Sequence, residues 1–372
     1  MSMKKILFIP ILFLFFYSCK EIQKVTDLVT NPSASKVFER SLKDDYLLFE
    51  QYEKLYANAK NNNLKLDLPA VVYSKSDSDS YSILAYTVSL KRGERFKIET
   101  DTDSLQFSID VFSYDSDSNL FEKPILSNKP NTNYLEFEVP RNADYKVVIA
   151  PKNKNNTTYN IKLYSDPTIL FPVSGKDNKA IKSFWGASRG GGKRKHEGID
   201  IFAKRGTPVV ASLDGIVTVT KNDGLGGKQV WMRANNPAYT LYYAHLDEIK
   251  VAEGKRVVVG DTLGFVGNTG NAKKASPHLH FGIYTSHGKG AVDPFPFVRD
   301  KYAPEITNEN FLNTALTKLE KNELRIGTSS KDKKIQDLEI ETPVIVLAKI
   351  NKWFHIRVDG NVEGFMHESL FM

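Results

Sequence analysis

Cysteine is almost missing from this 372-residue chain: Cys19 is the only one, so no intramolecular disulfide can form. A long apolar run is missing too. The opening stretch from Ile6 to Tyr17 is twelve residues, too few to span a bilayer. There is no arginine-rich arm and no base-stacking motif, which leaves nucleic-acid binding without support. Neither charge sign dominates. The formal net charge is +7, and removing residues 1–18 takes away Lys4 and Lys5 and no acid, leaving +5. Such a mildly basic chain suits an anionic surface, cell wall or lipid headgroups. What is present is globular: 41% apolar and 26% charged residues supply real cores, and the length allows two to four modest domains.

The first segment, "MSMKKILFIPILFLFFYSCKE", has lysines, then the apolar run, then Ser18-Cys19. That is the layout of a secretory signal. It resembles a bacterial lipoprotein box, with Phe16 where Leu is usual. The resemblance implies cleavage after residue 18 and a lipid on Cys19. The protein would be exported and held at a membrane by that lipid, facing the periplasm or cell envelope. Residues 19–35 read as a polar tether. Residues 36–60 carry Phe38, Leu42, Phe49, Tyr52 and Tyr56 at helical spacings, which predicts one amphipathic helix.

From 64 to 165 the period becomes two. "FKIET", "FSIDVF", "YLEFEV", "YKVVIA" and "YNIKLY" alternate apolar with polar, which predicts a β-sandwich. The acidic "DSDSN" at 115–119 is not a calcium loop, because Leu120 and Leu126 replace the turn glycine and the bidentate glutamate. Residues 168–300 are Gly-rich and β-branched, a compact all-β unit in which "GLGGK" (224–228) reads as a turn. Residues 301–323 read as a linker with helical character. In the tail, 324–372, the order "NKWFHIRVDGNVEGFMHESLF" resembles a bacterial Src-homology-3-type domain through Trp353, Asp359, Gly360, Gly364 and Phe365. The fold class is therefore mainly β: a sandwich, a compact all-β domain and a small Src-homology-3-like barrel, with one N-terminal helix.

Histidine is scarce, seven in all, yet four fall between 196 and 280. They lie in "HEGID" (196–200), "YYAHL" (242–246) and "HLH" (278–280). Gly198 and Ile199 favour extended chain, in which His196 and Asp200 share a face. His278 and His280, two apart on a strand, share one as well. Imidazole and carboxylate are the ligands zinc takes in hydrolytic sites, three from protein with a fourth position open. Spacing does not say which of His278 and His280 binds metal. His287, His355 and His367 read as surface or packing residues, Trp185, Trp231 and Trp353 as core, and Arg189, Lys193 and Arg194 as a solvated basic loop.

In order, "HEGIDIFAKRGTPVVASLDGIV", "YYAHLD", "GDTLGFVGNTGNA" and "HLHFGIY" resemble the lysostaphin-type zinc metallopeptidases, which cleave peptide bonds in bacterial peptidoglycan. The resemblance implies one zinc per chain on His196, Asp200 and His280, with His245 and His278 as catalytic histidines of unassigned individual role. It implies peptidoglycan as the partner: D-alanyl–diaminopimelate cross-links in a diderm wall, glycine bridges in another wall type. The tyrosine that assists the oxyanion in some relatives has no counterpart in 185–195. The alternative is a catalytically silent wall-binding scaffold or hydrolase activator, as in relatives that have lost ligands; all five positions are kept here.

Overall fold

The computed structural model describes residues 26–372 apart from Leu28, 77–81, 103–104, 114–122, 153–155, 236–238, 286–289, 301–302, 307–312 and 359–361. The signal segment with Cys19, the 115–119 acidic motif, His287 and Asp359-Gly360 lie outside the described residues. Among the described residues no helix is long and apolar enough to cross a membrane.

The predicted N-terminal helix is two helices, α1 (Ala34–Leu42) and α2 (Tyr46–Asn61). Each starts on its own cap. Ser33 Oγ accepts from the Lys36 N–H, and the Asp45 carboxylate accepts from the Leu48 N–H at 3.1 Å. A short polar side chain satisfies the orphan N–H groups of a first turn, so Asp45 starts a second helix where the apolar period alone would continue the first. Both helices bury their apolar stripe (Phe38, Leu42, Tyr52, Ala59) on Ile83, Ala85, Phe112, Val148 and Ala150.

Those partners belong to a sandwich of eight strands, β1 (Ala70–Lys75), β2 (Leu84–Leu90), β3 (Glu94–Thr100), β4 (Phe107–Ser113), β5 (Leu126–Ser127), β6 (Tyr134–Glu138), β7 (Ala143–Pro151) and β8 (Thr158–Pro167). One sheet has the order β2-β7-β4-β5, and β1-β8-β3-β6 lie in the other. With α1 and α2 on its outer side, the first sheet is covered on both faces, and burial along β4 and β7 is nearly continuous.

The second unit holds β9 (Ile181–Ser183), β10 (Ser188–Arg189), β11 (Arg194–Lys195), β12 (Ile199–Phe202), β13 (Pro208–Val210), β14 (Gly215–Asp223), β15 (Gly227–Ala234), β16 (Tyr239–Ile249), β17 (Arg256–Val257), β18 (Thr262–Val266), β19 (His278–Thr285) and β20 (Ala291–Val292). Its main sheet has the order β17-β14-β15-β16-β19-β12-β9. One face carries Ile199, Ile201, Val230, Met232, Leu241, Tyr243, Leu279, Phe281 and Ile283 into a core of their own. By strict alternation the residues between them point the other way, and that face carries the site. The "GLGGK" turn joins β14 to β15. Gly227 (φ +62) and Gly270 (φ +66) approach so closely that a Cβ on either would stand 2.3 Å from backbone of the other loop, which locks two loops of the site rim together.

The tail holds β21 (Thr314–Leu316), β22 (Asn322–Arg325), β23 (Lys334–Leu338), β24 (Pro343–Ile350), β25 (Trp353–Val358) and β26 (Val362–His367). The described part of 301–323 thus forms a short strand instead of helix, and β21 pairs with β24. The tail strands continue the sandwich sheet: β24 pairs with β1, Tyr73 opposite Lys349 and Ser74 opposite Ala348. Leu347, Ala348, Ile350 and Phe365 lie in the sandwich core. His355 is fully buried there, its Nδ1 3.1 Å from the Tyr86 hydroxyl and its Nε2 3.3 Å from Glu363, which Arg357 also binds.

This network carries a pH prediction. Burial alone would raise the Glu363 carboxyl, but His355 and Arg357 hold it down to about 2. A carboxyl depressed in the folded state contributes stability that is complete above its unfolded value and disappears as pH falls through its folded one. The melting temperature should therefore fall between about pH 4.5 and pH 2. A Glu363→Gln variant, already destabilised at neutral pH, should fall less over the same window. Parallel melting curves for the two proteins would refute this.

Candidate metal centre and groove

His196 precedes β12 in a non-strand segment. Its backbone is fixed by the β10–β11 hairpin: its N–H donates to the Ala187 carbonyl and its carbonyl accepts from the Gly186 N–H. Asp200 is on β12 and stands directly opposite His280 on β19. His196 Nε2 lies 3.0 Å from Asp200 Oδ1 and 2.9 Å from His280 Nδ1, and His280 Nδ1 lies 3.1 Å from the same Asp200 oxygen. Three donor atoms thus form a nearly equilateral triangle.

Extended chain does not explain the His196–Asp200 contact. Four residues of strand separate two side chains by about 13 Å. The chain instead bends at Gly198. A Cβ there would stand 2.4 Å from the Phe281 carbonyl and 2.7 Å from the His280 ring, so only glycine lets the bend rest on the second histidine.

The donor set fits zinc. Ligand atoms around a tetrahedral ion with bonds of about 2.0–2.1 Å stand roughly 3.3 Å apart, so the triangle needs only slight expansion. Its outer partners are set as well. His196 Nδ1 faces the Phe184 carbonyl at 2.9 Å; a carbonyl only accepts, so this nitrogen carries the proton and Nε2 is bare for metal. The second Asp200 oxygen accepts from Arg189 Nη2 at 2.8 Å, and Arg189 also donates to Ser183 Oγ. Burial would raise the Asp200 carboxyl, but in the metal-free protein His196 and His280, when protonated toward it, donate to it and their charge holds it far below the usual carboxylate range. The site is one His/Asp/His zinc site.

Arg189 therefore departs from the solvated basic loop the sequence suggests, whereas Lys193 and Arg194 are exposed. Its ion pair orients Asp200 so that one oxygen remains for the metal. Arg189→Ala should weaken zinc binding about 10–100-fold, the usual cost of losing an outer partner, with the fold kept. Chelator competition at fixed pH measures this. Arg189→Lys should recover only part of the loss, because the shorter ammonium side chain does not bring its donor to the point where Nη2 meets both Asp200 and Ser183. Unchanged affinity in Arg189→Ala would remove the residue from the site.

Two further imidazoles stand beside the trio. His278 shares its face of β19 with His280, and its ring stacks on Phe202 at 4.9 Å. His245 is 5.1 Å from His278 and 6.0 Å from His280, centroid to centroid. Alternation from Tyr243 would send His245 into the core. A bulge prevents it: Lys228 is opposite Leu246 and Val230 opposite Tyr243, two steps on β15 against three on β16. His245 takes up the extra residue at φ +65, a conformation costly for a non-glycine residue and found where a site requires it. Nδ1 of His278 donates to the Ser276 carbonyl at 2.8 Å, and Nδ1 of His245 to the Thr269 carbonyl at 3.0 Å. When neutral, each keeps a bare Nε2. Burial, with the charges of His278 and His280, pushes the His245 imidazole down to about 4, so it is neutral at pH 7.

These residues line a groove of about 690 Å³ with Arg194 and Lys195 on its rim and Trp231, Tyr242 and Tyr284 in its wall. Trp231 is thus a groove residue and not a core one. Its neighbours Val230 and Met232 are buried, and that alternation was the signal that it faces the other way.

Residues 194–294 match peptidase family M23. The L-Ala–D-Glu endopeptidase of Bacillus subtilis is 37% identical over 139 residues, 35% of this chain and 42% of that protein. The DD-carboxypeptidase/endopeptidase Mpg of Neisseria meningitidis is 47% identical over 88 residues, 24% of this chain and 20% of that protein. Among solved structures, the catalytic domain of the antimicrobial peptidase lysostaphin from Staphylococcus simulans is 32% identical, covers 32% of this chain and 90% of that chain, and has a TM-score of 0.29. The chain spans less than half the length of the two curated relatives. It carries a domain of peptidase family M23, with a zinc site made by His196, Asp200 and His280.

Proposed function

We propose that this protein is a zinc-dependent endopeptidase that hydrolyses peptide bonds of bacterial peptidoglycan, with His245 and His278 as its proton-handling residues. The observation that carries this reading is the groove itself, in which a His/Asp/His trio and two imidazoles with tethered Nδ1 atoms converge. The relatives, one named an L-Ala–D-Glu endopeptidase and the other a DD-carboxypeptidase/endopeptidase, support hydrolysis of peptide bonds that involve D-amino acids.

When bound, zinc supplies Lewis acidity and activation of water for amide hydrolysis. The protein does the rest. His196, Asp200 and His280 hold the ion, and Arg189 fixes the Asp200 carboxylate. A bare Nε2 on His245 or His278 accepts a proton from the attacking water, and the other histidine, once protonated at Nε2, donates to the leaving amine or the developing oxyanion. A silent scaffold would have no use for this assembly. Digestion of purified peptidoglycan, with mass spectrometry of new amino termini, tests the reading. Chelator-sensitive release of free amines is expected, and no new termini from zinc-loaded protein would sink it.

We infer further that Cys19 carries a lipid that holds the enzyme at the envelope, supported by the signal layout and the lone cysteine. Several acyl chains make such attachment stable. Fatty-acid label on the wild type and none on Cys19→Ser is the expected result; an unlabelled wild type that fractionates as soluble would overturn it.

A further inference from the structure

The zinc domain meets one end of the sandwich. Two turns that pass between the sandwich sheets stand there, 91–93 after β2 and 139–142 after β6. The junction is tight at its base. A Cβ on Gly93 (φ +90) would stand 2.3 Å from the Phe297 ring, and the Thr168 hydroxyl donates to the Gly93 carbonyl at 2.6 Å. Beside that contact the two units leave a crevice of about 450 Å³, within the about 300–1,000 Å³ of small-molecule sites. It shares no lining residue with the groove at the zinc site.

The sandwich wall of the crevice is cationic. Lys91, Arg92 and Arg141 line it, against one carboxylate from the zinc domain, Asp293. Among the described residues none of the three cations is in an ion pair. Arg141 Nη2 donates to Ser113 Oγ at 2.6 Å, and Arg92 is hydrogen-bonded to the Tyr239 hydroxyl. Arg92 Nε is buried with no hydrogen-bond partner. A partly desolvated guanidinium without a counter-ion is costly, and an incoming anion compensates it. Asp293 opposes an anion, but it is engaged: its Oδ1 accepts from the Phe295 N–H at 3.0 Å.

Trp185 lines the crevice from the zinc domain. The sequence suggests a core residue, yet it is half-buried. Among the described residues its ring meets no other ring and its indole N–H has no partner. Asn142 spends its Oδ1 on the Arg92 N–H at 2.8 Å, which leaves Nδ2 as a donor. These parts fit one kind of ligand. The negative face of an indole accepts the C–H face of a pyranose, cationic side chains take a carboxylate, and an amide donor takes a hydroxyl. A plain anion would leave the indole bare.

We propose that the crevice between the sandwich and the zinc domain binds an acidic saccharide, its ring on Trp185 and its carboxylate among Lys91, Arg92 and Arg141. The site is separate from the groove, so it stands or falls independently of hydrolysis there.

Calorimetry on the full zinc-loaded protein with digalacturonate, diacetylchitobiose and inorganic phosphate tests this. Digalacturonate should bind at least about 10-fold more tightly than the neutral disaccharide or the phosphate, because only it uses both the charges and the ring. Arg92→Gln and Lys91→Gln should each weaken its binding about 10-fold. Lys91 is exposed, so its variant guards against misfolding of the Arg92 one. Trp185→Ala should cost about 3–10-fold, and Trp185→Phe, which keeps a ring, less. Zinc content should stay unchanged in all four. No binding of digalacturonate to the wild type overturns the site. Equal binding of the neutral disaccharide overturns the charge recognition. Equal binding of phosphate, or binding unmoved in Trp185→Ala, overturns the saccharide.

Discussion

Asp200→Ala protein should fold, lose its zinc and lose hydrolysis together, whereas His278→Ala and His245→Ala should keep a full zinc complement and lose hydrolysis alone. Asp200 is one of three ligands, and its oxygen is shared at about 3 Å with both histidine donors. Without it two imidazoles remain and the ion is largely aquated. The loss should exceed the 10–100-fold expected for an outer partner such as Arg189. Removing the carboxylate also removes the charge that Arg189 pairs with, leaving an uncompensated cation at the rim. His278 and His245 are held by carbonyls and rings, not by the trio, so their removal leaves the donor triangle intact. Loss of a positioned acid or base costs about 10²–10⁴ in rate. Metal analysis decides the matter before any assay: full zinc in Asp200→Ala would refute the ligand set, and zinc-free His278→Ala would make that residue a ligand.

Removing residues 313–372 should destabilise the sandwich and spare the zinc site. A tail attached only through a linker could be cut away at little cost. Here β24 is hydrogen-bonded to β1, and the Ser74 hydroxyl donates to the Leu347 carbonyl inside the protein. Tyr86 of the sandwich packs on Phe365 and His355 of the tail. Truncation opens the β1 edge and uncovers apolar side chains at about 1.5–3 kcal/mol each. Two or three of these amount to roughly 5 kcal/mol, a fall of about 10–20 °C for a unit of this size. The zinc domain keeps its separate core, which among the described residues takes nothing from 313–372. Calorimetry and zinc analysis on the truncated protein should therefore diverge, with the sandwich transition lowered and zinc retained. An unshifted sandwich transition would mean that the tail is an appended module, free to act as a wall-binding tether.

Much of this could be read from the residues. Two-residue alternation located five of the eight sandwich strands, β3, β4, β6, β7 and β8, whereas β1, β2 and β5 were not singled out; alternation records a strand's two faces directly, even where, as on β4 and β7, the fold buries both. The resemblance of four motifs supplied the ligand trio and the paired histidines. Other features were set elsewhere. Asp45 divided the N-terminal helix through one side-chain cap that competes with the apolar period. Gly198 brought His196 to Asp200 through a bend that only its distance from Phe281 and His280 explains. The left-handed turn at His245 depends on a register difference between β15 and β16, which no segment carries alone. Trp231 read as core because an aromatic suits either face of a strand; the buried Val230 and Met232 decided that its face was the groove. The junction of β24 with β1 joins residues more than 270 positions apart through backbone N–H and C=O groups. Those groups are the same in every residue, so the sequence determined that both segments are strands, and only the tertiary structure decided that they pair.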